Sequence, residues 1–527
     1  MVDGKLKAVE QRMLELAMAI SAEDRDRQGM GHFHLGGAYL NLPDYQQAIK
    51  NYAQALHIFI ETGCRADEGA ASCNLGSAYF RLGNFKVAIE YYENHLSIAK
   101  EVGDRAGEGS AYGNLGNASL SLSRFQQAIE YFEKHLTIAK EVGDRAGEAS
   151  AYGNLGNASL SLGNFKQGIE YYEKHLSFAK ELGDRAGEGS TYGNLGNAFC
   201  SQGNFKQAIE YYEKHLSIAK EVGDRAGEGT AYGNLGNAYL NLGKFQQAIA
   251  YSEKNLTIAK EVGDRAGEAS AFGNLGNAAL SLGNFKQGIE YYEKNLSIAK
   301  ELGDRAGEGS THGNLGNAFC SQGNFKQAIE HHEKHLSIAK EVGDRAGEGS
   351  AYGNLGNAYY DIGNFKRGIE YYKKDLSIAK EVGDRAGEGS AYGNMGNAYC
   401  DLGDLKQGIE YLEKHLSIAK EVGDRAGEGS GYGNLGSSYL SLGIFKKAIQ
   451  YYEKDLIIAK EVGNRAGEGL TYGNLGNAFL SLGIFKQAIH YYEKDLIIAK
   501  EVGDRAGEGS TYGNLGNAYC GLALLKK

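Results

Sequence analysis

Apolar and polar residues alternate along this chain with the period of a helix, and the whole pattern returns at a fixed step of forty residues. The register is marked by Arg25, Arg65, Arg105, Arg145, Arg185, Arg225, Arg265, Arg305, Arg345, Arg385, Arg425, Arg465 and Arg505. Self-similarity at this length predicts an array in which each repeat is one supersecondary unit. The stretch from Arg185 to Asp224, RAGEGSTYGNLGNAFCSQGNFKQAIEYYEKHLSIAKEVGD, serves as the reference unit. In its first half Tyr192, Leu195 and Phe199 recur at i, i+3 and i+7, the apolar stripe of an amphipathic helix. Ser190, Asn194, Asn197 and Ser201 form a polar stripe on another face, with Gly189, Gly193 and Gly196 between the two. Glycine inside a helix costs roughly 1 kcal/mol relative to alanine, so these glycines predict a close approach, most simply of another backbone.

Gly203 predicts the end of this first helix and Asn204 the cap of a second, with Gln207 three residues on as in a capping box. In the second helix Phe205, Ala208, Ile209, Tyr212, Leu216 and Ala219 share one face. Glu210 and Lys214 stand i, i+4 on the other, in the favourable order. Gly223 and Asp224 predict a helix stop followed by the N-cap of the next unit. Neither helix can bury its stripe alone, so stacked neighbours must share one continuous core. The expected fold is all-α: helix-turn-helix units in a right-handed superhelical solenoid.

The spacing Tyr192-x2-Leu195-Gly196-x2-Phe199 followed by Ala208-x3-Tyr212 resembles the tetratricopeptide repeat, with tyrosine in place of the first-helix tryptophan. That repeat is usually shorter and ends in proline; here Lys220 stands at that place and the extra residues fall in the IAKEVGDRAGEG junction. The NLGNA core and GDRAGE junction resemble the repeat region of the Pins/LGN spindle-orientation scaffolds. The resemblance implies an intracellular scaffold that binds an extended peptide of a partner protein. In those scaffolds arginine often neighbours the groove asparagines. Here that position holds Ser110, Ser190, Thr230 or Leu470, so a polar, uncharged groove is expected and capture of an acidic peptide is not. The acidic G-protein-binding motifs of those scaffolds are missing.

Composition adds limits. The net charge of -10 is spread evenly, each unit carrying about one negative charge, with no basic patch for nucleic acid or a membrane surface. No apolar run is long enough for a membrane span, and Lys5, Lys7, Glu10 and Arg12 interrupt any secretion signal. Cys200, Cys320, Cys400 and Cys520 share one repeat position, too far apart in sequence to pair readily, and with Cys64 and Cys73 are read as reduced, which suits a cytoplasmic location. Leu6, Val9, Met13, Leu16 and Ile20 predict an amphipathic helix that caps the first seam. The expected organisation is a capping helix at 1–24, twelve units at 25–504, and a half repeat at 505–527, where Ala523-Leu524-Leu525 replaces the turn and the helix continues.

The asparagine ladder is the candidate binding site. It comprises Asn114 and Asn117, Asn154 and Asn157, Asn194 and Asn197, Asn234 and Asn237, Asn274 and Asn277, Asn314 and Asn317, Asn354 and Asn357, Asn394 and Asn397, Asn474 and Asn477, with Asn514 and Asn517 beyond and a break at Ser437. A side-chain amide offers two donors and an acceptor, which suits a peptide main chain. The alternative is that the asparagines bond to one another or to helix ends and hold the curvature. The arginine comb is expected to bridge units through partners such as Glu188 and Glu221. His331 and His335 stand i, i+4 but lack a third metal ligand at suitable spacing, so His331, His332 and His335 are read as structural. The sequons at Asn117 and Asn157 fall inside helices and are discounted. No nucleophile–base pair or phosphate loop stands out, so no catalysis, cofactor or metal is expected. The sequence therefore points to a peptide-binding scaffold, with a self-assembling rod, associated end to end, as the alternative. An RNA reader would vary its groove residues from unit to unit.

Overall fold

The computed structural model describes residues 2–524, with side chains from residue 5 onward. A helix spans Val2–Ser21; twelve helical hairpins follow, then a last helix at Arg505–Leu524, with no strand among the described residues. Each first helix starts at its register arginine, as in Arg185–Ser201, and each second helix starts one turn later, as in Phe205–Val222. That arginine identifies each hairpin, so Arg185–Val222 is the Arg185 hairpin. The expected Leu525 falls outside the described residues, but the last helix does run on through Leu524 where other units turn.

The capping chemistry follows the residues expected. Gly203 and Gly223 take φ of 75° and 72°, a region where only glycine is free of Cβ strain. Asp224 Oδ1 accepts from Gly227 N at 2.9 Å, and Asn204 Oδ1 accepts from Gln207 N at 3.4 Å. The Asn204 amide also donates to Gln207 Oε1 at 2.9 Å, so the box closes between side chains and not through the cap's own N–H.

The first helix is buried on more than one face because it touches its own second helix, the preceding second helix and neighbouring first helices. Leu195 and Ala208 are fully buried and Tyr212 nearly so; a leucine buried in this way contributes about 1.5–3 kcal/mol. The glycines accommodate side chains, not backbone, contrary to expectation. A Cβ on Gly156 would lie 2.6 Å from the Tyr172 ring, and one on Gly189 would lie 2.9 Å from Ile218 Cγ2. The second helix carries its bulky residues toward the first, and only a bare Cα leaves room for them.

The arginine comb also differs from expectation. Arg185 Nε donates to Glu221 Oε1 at 3.0 Å, and its terminal nitrogens reach Glu221 and Glu188. Both carboxylates belong to the same hairpin, so the arginine staples the start of the first helix to the end of the second. The link between units comes instead from Lys180, whose ammonium is 3.9 Å from the buried Glu188. At the N-terminal helix the expected Val9 and Leu16 are buried against Leu35 and Tyr39, and Ala19 is buried as well, while the expected Leu6, Met13 and Ile20 face solvent. Only one ridge of that helix meets the next.

The chain forms two compact units, Met1–Gly267 and Glu268–Lys527. Within the first, successive first helices touch at the Arg25–Arg65, Arg105–Arg145 and Arg185–Arg225 hairpins. Within the second they touch from the Arg305 hairpin through the Arg505 helix. In the second unit the first helices from Arg305 onward thus form a contiguous row that carries the polar stripe, whereas in the first unit they touch in pairs.

Candidate functional site along the first helices

The asparagines split into two classes. In the reference hairpin, Tyr212 donates to Asn197 Oδ1 at 2.8 Å. The same bond joins Tyr172 to Asn157 at 2.6 Å, Tyr292 to Asn277 at 2.6 Å, Tyr372 to Asn357 at 2.9 Å and Tyr492 to Asn477 at 2.7 Å. These asparagines accept the hydroxyl of a tyrosine that is otherwise buried in the hairpin. At Asn117, Asn317 and Asn397 the facing residue is Phe132, His332 or Leu412, and no such bond forms. Asn237 accepts instead from Asn241 at 2.7 Å.

The other class lies one turn earlier. Asn154, Asn194, Asn234, Asn274, Asn314, Asn354, Asn394 and Asn474 are half-buried, and among the described residues their side-chain amides make no hydrogen bond. Asn114 is the exception, donating to Cys73 Sγ at 3.5 Å on the preceding hairpin. Asn314, Asn354, Asn394 and Asn474 stand on first helices that touch one another in succession. A cavity of about 250 Å³ between the Arg465 and Arg505 first helices is lined by Asn474, Asn477, Asn514, Leu470, Thr511 and Asp495.

Asp495 introduces a position whose role the sequence reading did not see. Across the array it holds His95, His135, His175, His215, Asn255, Asn295, His335, Asp375, His415, Asp455 and Asp495. This residue leaves the second helix and passes the glycines of its own first helix: a Cβ on Gly193 would lie 3.1 Å from His215 Nδ1. On its far side it meets the next first helix, where Thr191 bonds His175 Nδ1 at 2.7 Å. Thr471 donates to Asp455 at 2.7 Å and Thr511 to Asp495 at 2.6 Å. Burial lowers the pKa of His95, His135, His175, His215 and His335, keeping these rings neutral at pH 7. Burial raises the carboxyls: Asp375 to about 6, with Asp384 adding repulsion, and Asp455 and Asp495 also upward. The signal was present in the sequence: this place varies in chemistry where its neighbours scarcely vary.

His331, His332 and His335 do not converge. His331 Nδ1 faces His312 Nδ1 at 3.0 Å, His332 fills the buried tyrosine place, and His335 sits beside Gly313. Among the described residues no group of three or more His, Cys, Asp or Glu side chains is placed to hold a metal. All six cysteines are unpaired.

A tetratricopeptide repeat family model matches residues 27–100, 67–141, 147–221, 227–301, 267–341, 307–381, 347–421, 387–461 and 430–496. This chain belongs to the tetratricopeptide repeat family. No curated protein matches it. Among solved structures it is similar to a Rap protein complexed with competence and sporulation factor, with 15% identity and a TM-score of 0.47, over 68% of this chain and 99% of that one. It is also similar to a signal-transduction ATPase with numerous domains and a tetratricopeptide repeat sensor from Pyrococcus horikoshii, with 17% identity, a TM-score of 0.48 and coverage of 65% and 55%. A third is the APC/C hetero-tetramer Cut9–Hcn1, with 14% identity, a TM-score of 0.39 and coverage of 96% and 98%. Tetratricopeptide arrays are generally non-catalytic interaction scaffolds, and this chain is compatible with that use. No described helix is long and apolar enough to cross a membrane.

Proposed function

We propose that this chain is a scaffold that holds an extended segment of a partner protein along its first helices, through the unpartnered asparagine amides. The observation that carries this reading is the split in the ladder. Asn197 and its equivalents already serve the hairpin, whereas Asn194 and its equivalents offer donors and an acceptor with no protein group to meet them. An unmet half-buried amide is a recognition group, because a peptide main chain supplies both complements. Successive first helices spaced about 10 Å apart would meet an extended strand about every third residue. This is the groove use that the Pins/LGN resemblance implies, with serine replacing the flanking arginine. The free thiols suit a reducing cytoplasm, and 1–24 and 505–527 flank the twelve-unit array. The test is selection from a random peptide library, followed by Asn354→Ala and Asn394→Ala. The selected peptide should lose affinity while helicity stays unchanged; retention of full affinity would sink the reading.

A second reading, self-association, has its own observation. Gly509, Gly513 and Gly516 on the last helix have nothing within 4 Å, although their equivalents receive Ile218, His215 and Tyr212 in the reference hairpin. Met18 and Met13 of the N-terminal helix are about half exposed. Met18 holds the register of Ile218, so a second copy's N-terminal helix could cover the glycine face. Sedimentation velocity over a range of concentrations tests this: growth in size that Met18→Glu abolishes supports it, and a constant monomer removes it.

A further inference from the structure

We propose that the groove of the second compact unit selects a peptide bearing basic side chains, which seat on the carboxylates of Asp375, Asp455 and Asp495. This rests on the peptide-groove reading and names the partner's chemistry. The three carboxylates share one repeat position, are half-buried, and lie against their own first helices, where a Cβ on Gly353, Gly433 or Gly473 would be 3.1 Å from the Oδ2 of Asp375, Asp455 or Asp495. Asp495 lines the cavity beside Asn474, Asn477 and Asn514. Asp375 has neither a hydrogen bond nor an ion pair among the described residues; the next first helix offers it Ala391, where Asp455 and Asp495 meet threonines. Among the described residues no cation pairs with any of the three. Burial raises all three carboxyls, Asp375 to about 6; threonine hydroxyls meet Asp455 and Asp495, but none of the three has a counter-charge, which an ammonium or guanidinium would supply.

The surrounding stripe has the same sign. At the Ser201 position the second unit carries Asp361 and Asp401, both exposed, and no lysine or arginine occupies its polar stripe. The first unit differs: its slots hold Ala55, histidines and Asn255, and its stripe carries Arg81 and no carboxylate. Net charge spread evenly over the chain thus hides a groove that is acidic in one unit and not in the other. Leu470, 68% exposed beside Asp495, adds an apolar contact for a neighbouring peptide residue. Asp455 and Asp495 are one repeat apart and Asp375 is two repeats from Asp455. On an extended strand this places basic residues about three apart and then about six apart.

The test is fluorescence anisotropy with labelled Gly/Ser peptides carrying three lysines at that spacing, the same peptide with glutamates, and one with the lysines shifted. The lysine peptide should bind the full chain, and D375N/D455N/D495N should weaken it by about tenfold or more, with unchanged helicity. The exposed control E370Q/E410Q should change it by less than about twofold. Equal binding of the triple variant, equal binding of the glutamate peptide, or indifference to spacing would overturn the proposal. If uncharged library peptides bind, lose affinity in Asn354→Ala and Asn394→Ala, and ignore the aspartate changes, the groove reading stands and this inference falls. If no peptide of any kind binds, both fall.

Discussion

At the scale of single residues, two asparagines three positions apart on one stripe do different work. Asn197 is a hairpin fastener: Asn197→Ala strands the hydroxyl of Tyr212, whose burial raises its pKa and makes an unmet O–H costly. That change should destabilise by about 1–3 kcal/mol, and Tyr212→Phe on top of it should recover much of the loss. A double-mutant cycle by chemical denaturation checks this; additive losses would contradict it. Asn194→Ala removes no side-chain hydrogen bond to the described protein and should leave stability within about 0.5 kcal/mol of wild type. Asp375 makes a pH prediction. Its folded pKa of about 6, raised mainly by burial and next by Asp384, lies above the unfolded value of about 3.9. The folded state therefore binds more protons between those values. The contribution is fully present below about pH 4 and is lost as pH rises through 6. Asp375→Asn, the residue already found at Asn255 and Asn295, should equal wild type near pH 4 and exceed it at pH 7 by about 1 kcal/mol after allowance for partial exposure. Paired denaturation curves at the two pH values read the difference.

At the scale of elements, helix boundaries were legible because glycine, asparagine or aspartate marks every turn but the one at Ser123-Arg124. What the inner glycines admit was not, because a missing Cβ says that something comes close and leaves open whether it is backbone or, as found, Tyr212, His215 and Ile218. Nor could forty-residue periodicity tell which asparagine a tyrosine fifteen residues on would reach. Departures from the repeat become local weak points. Ser123 holds φ of 58° where Gly163 and Gly203 stand in other turns. Ser123→Gly should raise stability by about 0.5–1 kcal/mol, measured as a shift in thermal midpoint. His332 is fully buried in the tyrosine place, with both ring nitrogens unpartnered. Burial, followed by His335 and His331, lowers its pKa to about 4, below the unfolded value of about 6.5. Its contribution is present above 6.5 and is lost as pH falls toward 4. His332→Tyr, with Asn317 available as acceptor, should stabilise the Arg305 hairpin and remove that acid sensitivity. Hydrogen exchange of the hairpin at pH 5 and pH 7 checks it.

At the scale of the whole molecule, contacts run between successive helices and between successive first helices, as expected of an array whose stability is a sum of unit and neighbour terms. The fold class was legible for that reason, since one hairpin stated the chemistry of all the others. The site was legible only as a stripe. Its division into fasteners and free amides, and the carboxylates of the second unit, depend on where second-helix side chains pass between first helices. The central claim is that the free amides, not the fasteners, meet the ligand. It is tested most directly by measuring the affinity of one library-selected peptide for two variants, Asn314/Asn354/Asn394/Asn474→Ala and Asn277/Asn357/Asn477→Ala, at a temperature where both remain folded. The account predicts that the first loses about tenfold or more in affinity at unchanged melting temperature, and that the second melts earlier yet binds within about threefold of wild type. The reverse pattern, or equal losses in both, would contradict it.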